Sequence, residues 1–361
     1  MESSRKKMLG MTKVVDLFCG VGGLTHGFVL EGFDVVAGVD IDNSCRYPFE
    51  KNNRTKFVHR NVSDLSSSEL NGLFGNAEIK ILVGCAPCQP FSALNRKNSA
   101  HRKSDKRWEP LEEFGRLIAH TKPAIISMEN VPDLAKEKKY PIFKKFLASL
   151  RKNKYHVFYR VVDASKYGVP QKRKRLVLLA SKFGEINLVP ETKDKNNLVT
   201  VRDAIFGLKH IKDGEVDRKD PLHRASKLSP LNKRRVMATP KNGGNAKSWK
   251  PELMPACYKK ASGHSYMSSV YGRMKWDEPS PTITTHCVNL GTGRFGHPSQ
   301  NRAISLREAA LLQSFPSHYR FNEGDNVSMT KTARLIGNAV PVLLGRAIAS
   351  SIKNHLENLP D

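Results

Sequence analysis

The chain has 361 residues, and its 60 Lys+Arg against 34 Asp+Glu give a formal net charge of +26. That length allows two domains and a sizeable core, and the excess of cations points to a polyanionic partner, nucleic acid first of all. No apolar run approaches a membrane span, residues 1–11 lack the apolar stretch of a signal peptide, and six cysteines do not make a disulfide scaffold. No membrane partner and a reducing, cytoplasmic setting are therefore expected.

Lys13 to Phe18 reads as a strand, Cys19-Gly20-Val21-Gly22-Gly23 as a glycine turn, and Leu24 to Leu30 as a helix. Strand, glycine loop and helix open many nucleotide-binding α/β units, because glycines let the backbone approach a ligand and the helix N-terminus offers free N–H groups. The next strand, Asp34 to Val39, ends at Asp40. A carboxylate at that tip, about 20 residues past the glycines, is placed to accept hydrogen bonds from ribose hydroxyls. The loop has no Gly-Lys-Ser/Thr, which disfavours a phosphate-cradling P-loop.

A third strand is expected through Phe57-Val58-His59 and a fourth at Ile81 to Val83. The chain then turns through Gly84-Cys85-Ala86-Pro87-Cys88-Gln89-Pro90-Phe91-Ser92. A thiol at the carboxyl end of such a strand lies where open α/β sheets bind ligands, and cysteine is the most nucleophilic side chain near neutral pH. On these residues alone Cys85 and Cys88 could equally be a redox pair, half a zinc site or small buried apolar groups. Asn95 to Trp108 is cationic and aperiodic, a loop that could hold phosphates or stay solvated.

Leu111 to His120 reads as a helix, and Ala124 to Met128 as a buried strand ending in Glu129-Asn130-Val131-Pro132. Glu129 could be only a helix cap or a surface charge, whereas a carboxyl that directly follows an apolar strand and faces a cleft suits proton donation. Two further strands, Tyr155 to Val162 and Arg175 to Ala180, flank a basic segment in which alternation would put Gln171, Arg173 and Arg175 on one face. From Pro190 to about Arg302 the chain is rich in Lys, Gly, Pro, Ser and His and loses periodicity. An amphipathic helix over Ser305 to Ser314 follows. A terminal helix, Thr332 to Ile352, is broken by Gly337-Asn338-Ala339-Val340-Pro341, and both are expected to pack back on the first domain.

Together these segments resemble the DNA cytosine-5 methyltransferases. Phe18-Cys19-Gly20-Val21-Gly22-Gly23 is similar to that family's S-adenosylmethionine loop, Pro87-Cys88-Gln89 to its nucleophile motif and Glu129-Asn130-Val131 to its acid motif. Gln171-x-Arg173-x-Arg175 resembles its arginine motif. Arg307-Glu308-Ala309 through Gln313-Ser314-Phe315-Pro316, and Gly337 to Pro341, resemble its two closing motifs. Each is short, but six in the family's order are specific.

The resemblance implies an α/β fold, a Rossmann-like S-adenosylmethionine-dependent methyltransferase sheet with a smaller irregular target-recognition domain. Residues 1–189 would form the catalytic domain, 190–302 the target-recognition domain, and 303–361 a segment completing the first. It implies transfer of a methyl group to C5 of a specific, flipped-out cytosine in double-stranded DNA through a covalent bond between Cys88 and C6. Cys88, Glu129, Arg173 and Arg175 would be catalytic. S-adenosylmethionine would lie on Phe18, Gly20, Gly22, Gly23, Asp40, Ile41, Asn61, Val62, Pro87, Asn338 and Val340, with no metal. Gln89, Ser92, Arg96, Gln171, Thr282 and Thr284 would meet DNA, and residues 92–108 would close over the base.

The pattern departs from the family's in three places. Asn61-Val62 stands where an acid often meets the adenine amino group, Asp40 replaces a frequent Glu, and Ile41 an aromatic. A tRNA cytosine-5 methyltransferase would typically carry Cys-Phe-Thr, which is absent. A DNA-binding relative without catalysis would not need Cys88, Glu129 and Arg175 together, and an NAD-dependent oxidoreductase would explain neither Cys88 nor the charge. The short N-terminal extension favours a bacterial or phage modification enzyme, functionally paired with a restriction endonuclease, and a monomer is expected.

Overall fold

The computed structural model describes residues 10–87, 108–136, 140–259 and 270–359. The chain divides into two compact units. The first comprises Met1–Asp163, Lys174–Glu191 and Val340–Asp361, and the second Ala164–Arg173 and Thr192–Ala339.

The first unit is built on a seven-stranded sheet. Its strands are β1 (Thr12–Leu17), β2 (Asp34–Asp40), β3 (Lys56–His59), β4 (Ile79–Gly84), β5 (Ile125–Asn130), β6 (His156–Asp163) and β7 (Lys174–Ser181). Their order is β3-β2-β1-β4-β5-β7-β6. The pairs from β3 through β5 are parallel, and β7 runs antiparallel to both β5 and β6. Val14, Val15, Ile81, Leu82, Val83, Ile125, Ile126 and Leu176 to Ala180 are all buried, the near-continuous apolar runs of strands covered on both faces. Chain order reverses between β1 and β4, so the crevice beyond their carboxyl ends is where such a sheet receives ligands.

Helix α1 (Gly23–Leu30) follows the glycine loop, and α2 (Arg46–Asn53) and α3 (Ser67–Phe74) follow β2 and β3. Helices α4 (Glu109–Thr121) and α5 (Pro141–Lys152) flank β5 in the chain. Leu111, Phe114, Leu117 and Ile118 on α4 and Ile142, Phe143, Phe146, Leu147 and Leu150 on α5 recur at helical spacing and pack with Leu82, Ile126, Met128 and Leu178 of the sheet. The terminal helix, Val342–Glu357, lies against α1, where a Cβ on Gly27 would overlap the backbone of Gly345 and Arg346. Only glycine permits that approach. An 18-residue window within Met329–Glu357 has a mean hydropathy of 1.5, but 78% of it is buried within the protein, as in a core helix.

The second unit holds short helices, α6 (Val201–Ile205), α7 (Pro230–Ala238), α8 (Leu306–Leu312) and α9 (Met329–Asn338), and among its described residues only isolated β-bridges. Without ladders its buried carbonyls need other donors. Buried arginines supply them: Arg273 donates to Val236 O (2.7 Å), His297 O (2.9 Å) and Thr239 O (3.0 Å). Arg302 holds both oxygens of Glu308 at 2.7 Å, and Glu308 also closes the capping box of α8 with Ser305.

The second unit extends past this pairing. Residues 303–339 belong to it, and the chain re-enters the first unit at Val340 rather than after Arg302. Helix α8 is also not amphipathic. Leu306 to Ala310 and Leu312 are all buried, the charged Arg307 and Glu308 included, because Asp220 and Arg302 neutralise them internally.

Candidate active site

The loop after β1 is shaped by left-handed backbone at Phe18 (φ 58°), Gly20 (φ 51°) and Gly22 (φ 83°). Glycine adopts this region without strain, whereas Phe18 does so only because its surroundings hold it there. The curl brings Gly20 N to 2.9 Å from Asp40 Oδ2, and Asp42 N donates to Oδ1 at 2.8 Å. Each oxygen keeps a lone pair for a further donor. Burial pushes the Asp40 carboxyl up from its ordinary range, and the two N–H donors work against that.

Beneath the loop, Asp16 is pushed up to about 7 by burial, despite the Thr25 hydroxyl that donates to it at 2.7 Å. A Cβ on Gly20 would meet nothing within 4 Å, and Ile41, next to Asp40, is 64% exposed. Open backbone, a carboxylate with acceptor capacity and an uncovered apolar side chain fit a nucleoside. Asn61 uses Oδ1 to cap the turn Val62–Asp64 through Ser63 N at 3.2 Å. Val62 points into the core, so only its backbone could meet a ligand.

A second group assembles at the ends of β4, β5 and β7. Parallel register pairs Gly84 with Met128, which sets Cys85 beside Glu129. A Cβ on Gly84 would lie 2.9 Å from Leu17 O, so glycine keeps this turn close to β1. Cys85 Sγ is 2.9 Å from Glu129 Oε2, and Arg175 Nε is 2.8 Å from Oε1. The Glu129 side chain is 3% exposed. Its Oε1 receives no directed hydrogen bond among the described residues, so the arginine contact is one of charge and the oxygen can still accept a proton donor. Asn130 Nδ2 donates to Ala86 O at 3.2 Å, tying the turn after β4 to the end of β5.

Pro87 is the last described residue of that turn and is exposed; Cys88, Gln89, Ser92 and Arg96 lie outside the described residues. Asn338 ends α9 with an exposed side chain, and Val340 is 5% exposed. Thr284 is exposed, whereas Thr282 gives its hydroxyl proton to Lys172 O at 2.7 Å.

Two side chains of the arginine motif turn inward. Gln171 does not present itself to DNA: it is 0% exposed, Nε2 donates to Leu312 O and Gln313 Oε1, and Oε1 accepts from Ile283 N. Arg173 is 4% exposed and donates to Ile283 O (3.0 Å), Gly337 O (3.3 Å) and Ala339 O (3.3 Å), so its guanidinium ties three main-chain carbonyls together. Alternation fails here because β7 begins only at Lys174, and Ala164–Arg173 belongs to the second unit. Of the three residues, only Arg175 reaches the carboxyl. The sequence reading left Cys85 and Asn130 without a role. The strand register was the signal that places both beside the acid.

A parallel sheet with an antiparallel seventh strand inserted between the fifth and sixth, and a glycine loop at its switch point, is the frame of S-adenosylmethionine-dependent methyltransferases. Within that class the chain belongs to the C-5 cytosine-specific DNA methylase family, whose profile matches residues 12–354. It is a DNA cytosine-5 methyltransferase. It is 51% identical to the type II methylase M.HgiDII of Herpetosiphon aurantiacus, over 96% of both chains. It is 30% identical to the type II methyltransferase M.MthTI of Methanothermobacter thermautotrophicus, over 96% of this chain and 98% of that one. A solved structure described as a prophage-encoded DNA modification methyltransferase (E. coli) superposes with a TM-score of 0.73 and 26% identity, over 96% of this chain and 100% of that one. The S. pombe Dnmt2 methyltransferase, with a TM-score of 0.65, 18% identity and coverage of 96% and 99%, shares the fold.

Proposed function

We propose that this enzyme methylates C5 of one cytosine within a fixed sequence of double-stranded DNA, as the protective half of a type II restriction–modification system in a bacterial or phage-infected cytoplasm. It would work as a monomer, alongside a cognate endonuclease. The observation that carries the site reading is the buried Glu129 carboxyl, held between Arg175 and Cys85, the latter three residues before Cys88, and with one oxygen still able to accept.

C5 of cytosine is a poor nucleophile. The Cys88 thiolate adds at C6 and makes C5 electron-rich, Glu129 shares a proton with N3 as charge builds on the ring, and Arg175 holds O2. S-adenosylmethionine supplies an electrophilic methyl group. Phe18, Gly20, Asp40 and Ile41 would bind its nucleoside, with Gly22 and Gly23 shaping the loop. Pro87, Asn338, the backbone of Asn61 and Val62, and Val340 are proposed to complete that site. Loss of the C5 proton then releases Cys88. The base must leave the helix for any of this, which residues 92–108 would help by closing over it. Gln89, Ser92, Arg96, Thr282 and Thr284 remain proposed DNA contacts.

Labelled methyl groups should enter DNA and not tRNA when both are offered with the donor. Transfer to tRNA alone would overturn this reading. Asp40→Ala should weaken donor binding by about 1–3 kcal/mol, the worth of one or two hydrogen bonds plus the support of Gly20 N. Equal calorimetric affinity in parent and variant would remove Asp40 from the donor site.

DNA affinity should fall steeply with salt, since phosphate contacts release counterions. On α7, Lys233 and Arg234 are exposed, while Arg235 is buried, donates to Leu253 O at 2.8 Å and lies over Trp249 and Tyr271. Replacing Lys233 and Arg234 together by alanine should flatten the log–log salt slope by roughly 1–2, if each neutralises a phosphate. An unchanged slope would make both solvated surface. Arg235→Ala should instead lower the unfolding temperature.

A further inference from the structure

The Glu129 carboxyl is met from two elements, by the Arg175 guanidinium of β7 on Oε1 and by the Cys85 thiol, one residue past β4, on Oε2. We propose that Cys85 is a positioning residue for methyl transfer, its S–H donating to Glu129 Oε2 and fixing the face of the carboxyl offered to cytosine N3. This rests on the reading of Glu129 as the group that meets N3.

The thiol is held where it is by its backbone. Cys85 N donates to Leu17 O at 3.3 Å, and the carbonyl of the next residue, Ala86, accepts from Asn130 Nδ2 at 3.2 Å. A single side-chain torsion then determines where Sγ lies, so little freedom is lost in making the contact. Asn130 adjoins Glu129 on β5, and the same turn leads to Cys88. The acid and the segment leading to Cys88 are thus linked twice, by Asn130 through the main chain and by Cys85 through the carboxyl itself.

The choice of sulfur has a chemical sense. Glu129 must share a proton with the base during the reaction. A strong donor on Oε2 would favour the anion and resist that transfer, whereas no donor would leave a buried carboxyl oriented by Arg175 alone. A thiol is a weak donor, enough to orient the group without locking its charge. The sulfur keeps its proton throughout and forms no bond to DNA.

The test is single-turnover methyl transfer to target DNA across pH for the parent, Cys85→Ser, Cys85→Ala and Glu129→Gln, with donor and DNA affinities measured alongside. Glutamine cannot titrate, so the limb of the rate–pH profile that Glu129→Gln removes identifies the limb this carboxyl governs. That limb should move to higher pH in Cys85→Ala, which loses a donor to the anion. It should move to lower pH in Cys85→Ser, whose hydroxyl donates more strongly, by about half a pH unit or more in each direction. The alanine variant should lose about five- to tenfold in rate, with serine recovering most of it and affinities within about twofold of the parent. Coincident limbs in parent, serine and alanine enzymes would overturn the proposal, even if the rates differed. A parental rate and profile in Glu129→Gln would instead overturn the role of Glu129 itself.

Discussion

Cys88→Ser is expected to lower single-turnover methyl transfer to DNA by about a thousandfold or more, equivalent to at least ~4 kcal/mol of barrier. A thiol is partly ionised near neutral pH, whereas a serine hydroxyl is scarcely so and is the weaker nucleophile even where a base assists it. Without the bond to C6, C5 stays too electron-poor to take the methyl group. Orientation and proton sharing by Glu129 and Arg175 cannot replace that step. DNA and donor binding should persist, because neither depends on the thiolate. Cys85→Ser, at the other cysteine of the C-x-x-C pair, should remain active. A Cys88→Ser enzyme retaining more than about a tenth of the parental rate would contradict covalent activation at this residue.

The second large effect falls on stability. Arg302 and Glu308 are 0% and 1% exposed and paired through both carboxylate oxygens, with His297 Nε2 3.6 Å from Oε1. Arg302→Ala leaves a buried carboxylate without its countercharge, a change that costs about 3–5 kcal/mol. Trp249 and Trp276 both belong to the second unit, so tryptophan fluorescence in denaturant should report the loss where it occurs.

The same cluster makes this unit sensitive to acid. Burial alone would raise the Glu308 carboxyl, but Arg302, His297 and the Ser305 N–H outweigh it and hold it at about 2. Burial lowers His297 to about 4, with Glu308 acting against that. Both groups therefore take up protons more readily unfolded than folded, and stability rises with pH where the two states differ. The His297 contribution should be complete above its unfolded value of 6.5 and fade as pH falls to about 4. The Glu308 contribution should fade between 4.5 and about 2. Arg302→Ala should blunt the lower of these losses. A denaturation midpoint indifferent to pH over this range, or to Arg302→Ala, would show that the cluster does not hold the unit together.

What could be read from the sequence was local. The apolar runs of β1, β4 and β5 declare themselves because strands buried on both faces have no polar alternation to blur them. The glycine loop and Asp40 stand out because left-handed backbone at Gly20 and Gly22 demands a particular residue type. Glu129 was visible as a charge at the end of such a strand. What the sequence did not reveal depends on distant partners. Gln171 looks like any polar residue in a basic segment, and its burial is decided by Gln313 and Ile283, far along the chain. Glu308 falls in a helix expected to be amphipathic, yet Arg302, outside that helix, neutralises it in the interior. The C-x-x-C spacing suggested chemistry shared between two thiols. Strand register sets Cys85 beside Glu129, and register is a property of the pairing of β4 with β5.

The most direct test of the covalent mechanism uses DNA carrying 5-fluorocytosine at the target position. Once Cys88 has added at C6 and the methyl group has been transferred, release requires the C5 substituent to leave as a cation, which fluorine cannot do. The account predicts a protein–DNA adduct that survives denaturation, forms only with the methyl donor present, is absent in Cys88→Ser and is retained in Cys85→Ser. No adduct on DNA that the enzyme demonstrably methylates, or one that persists in Cys88→Ser, would contradict it.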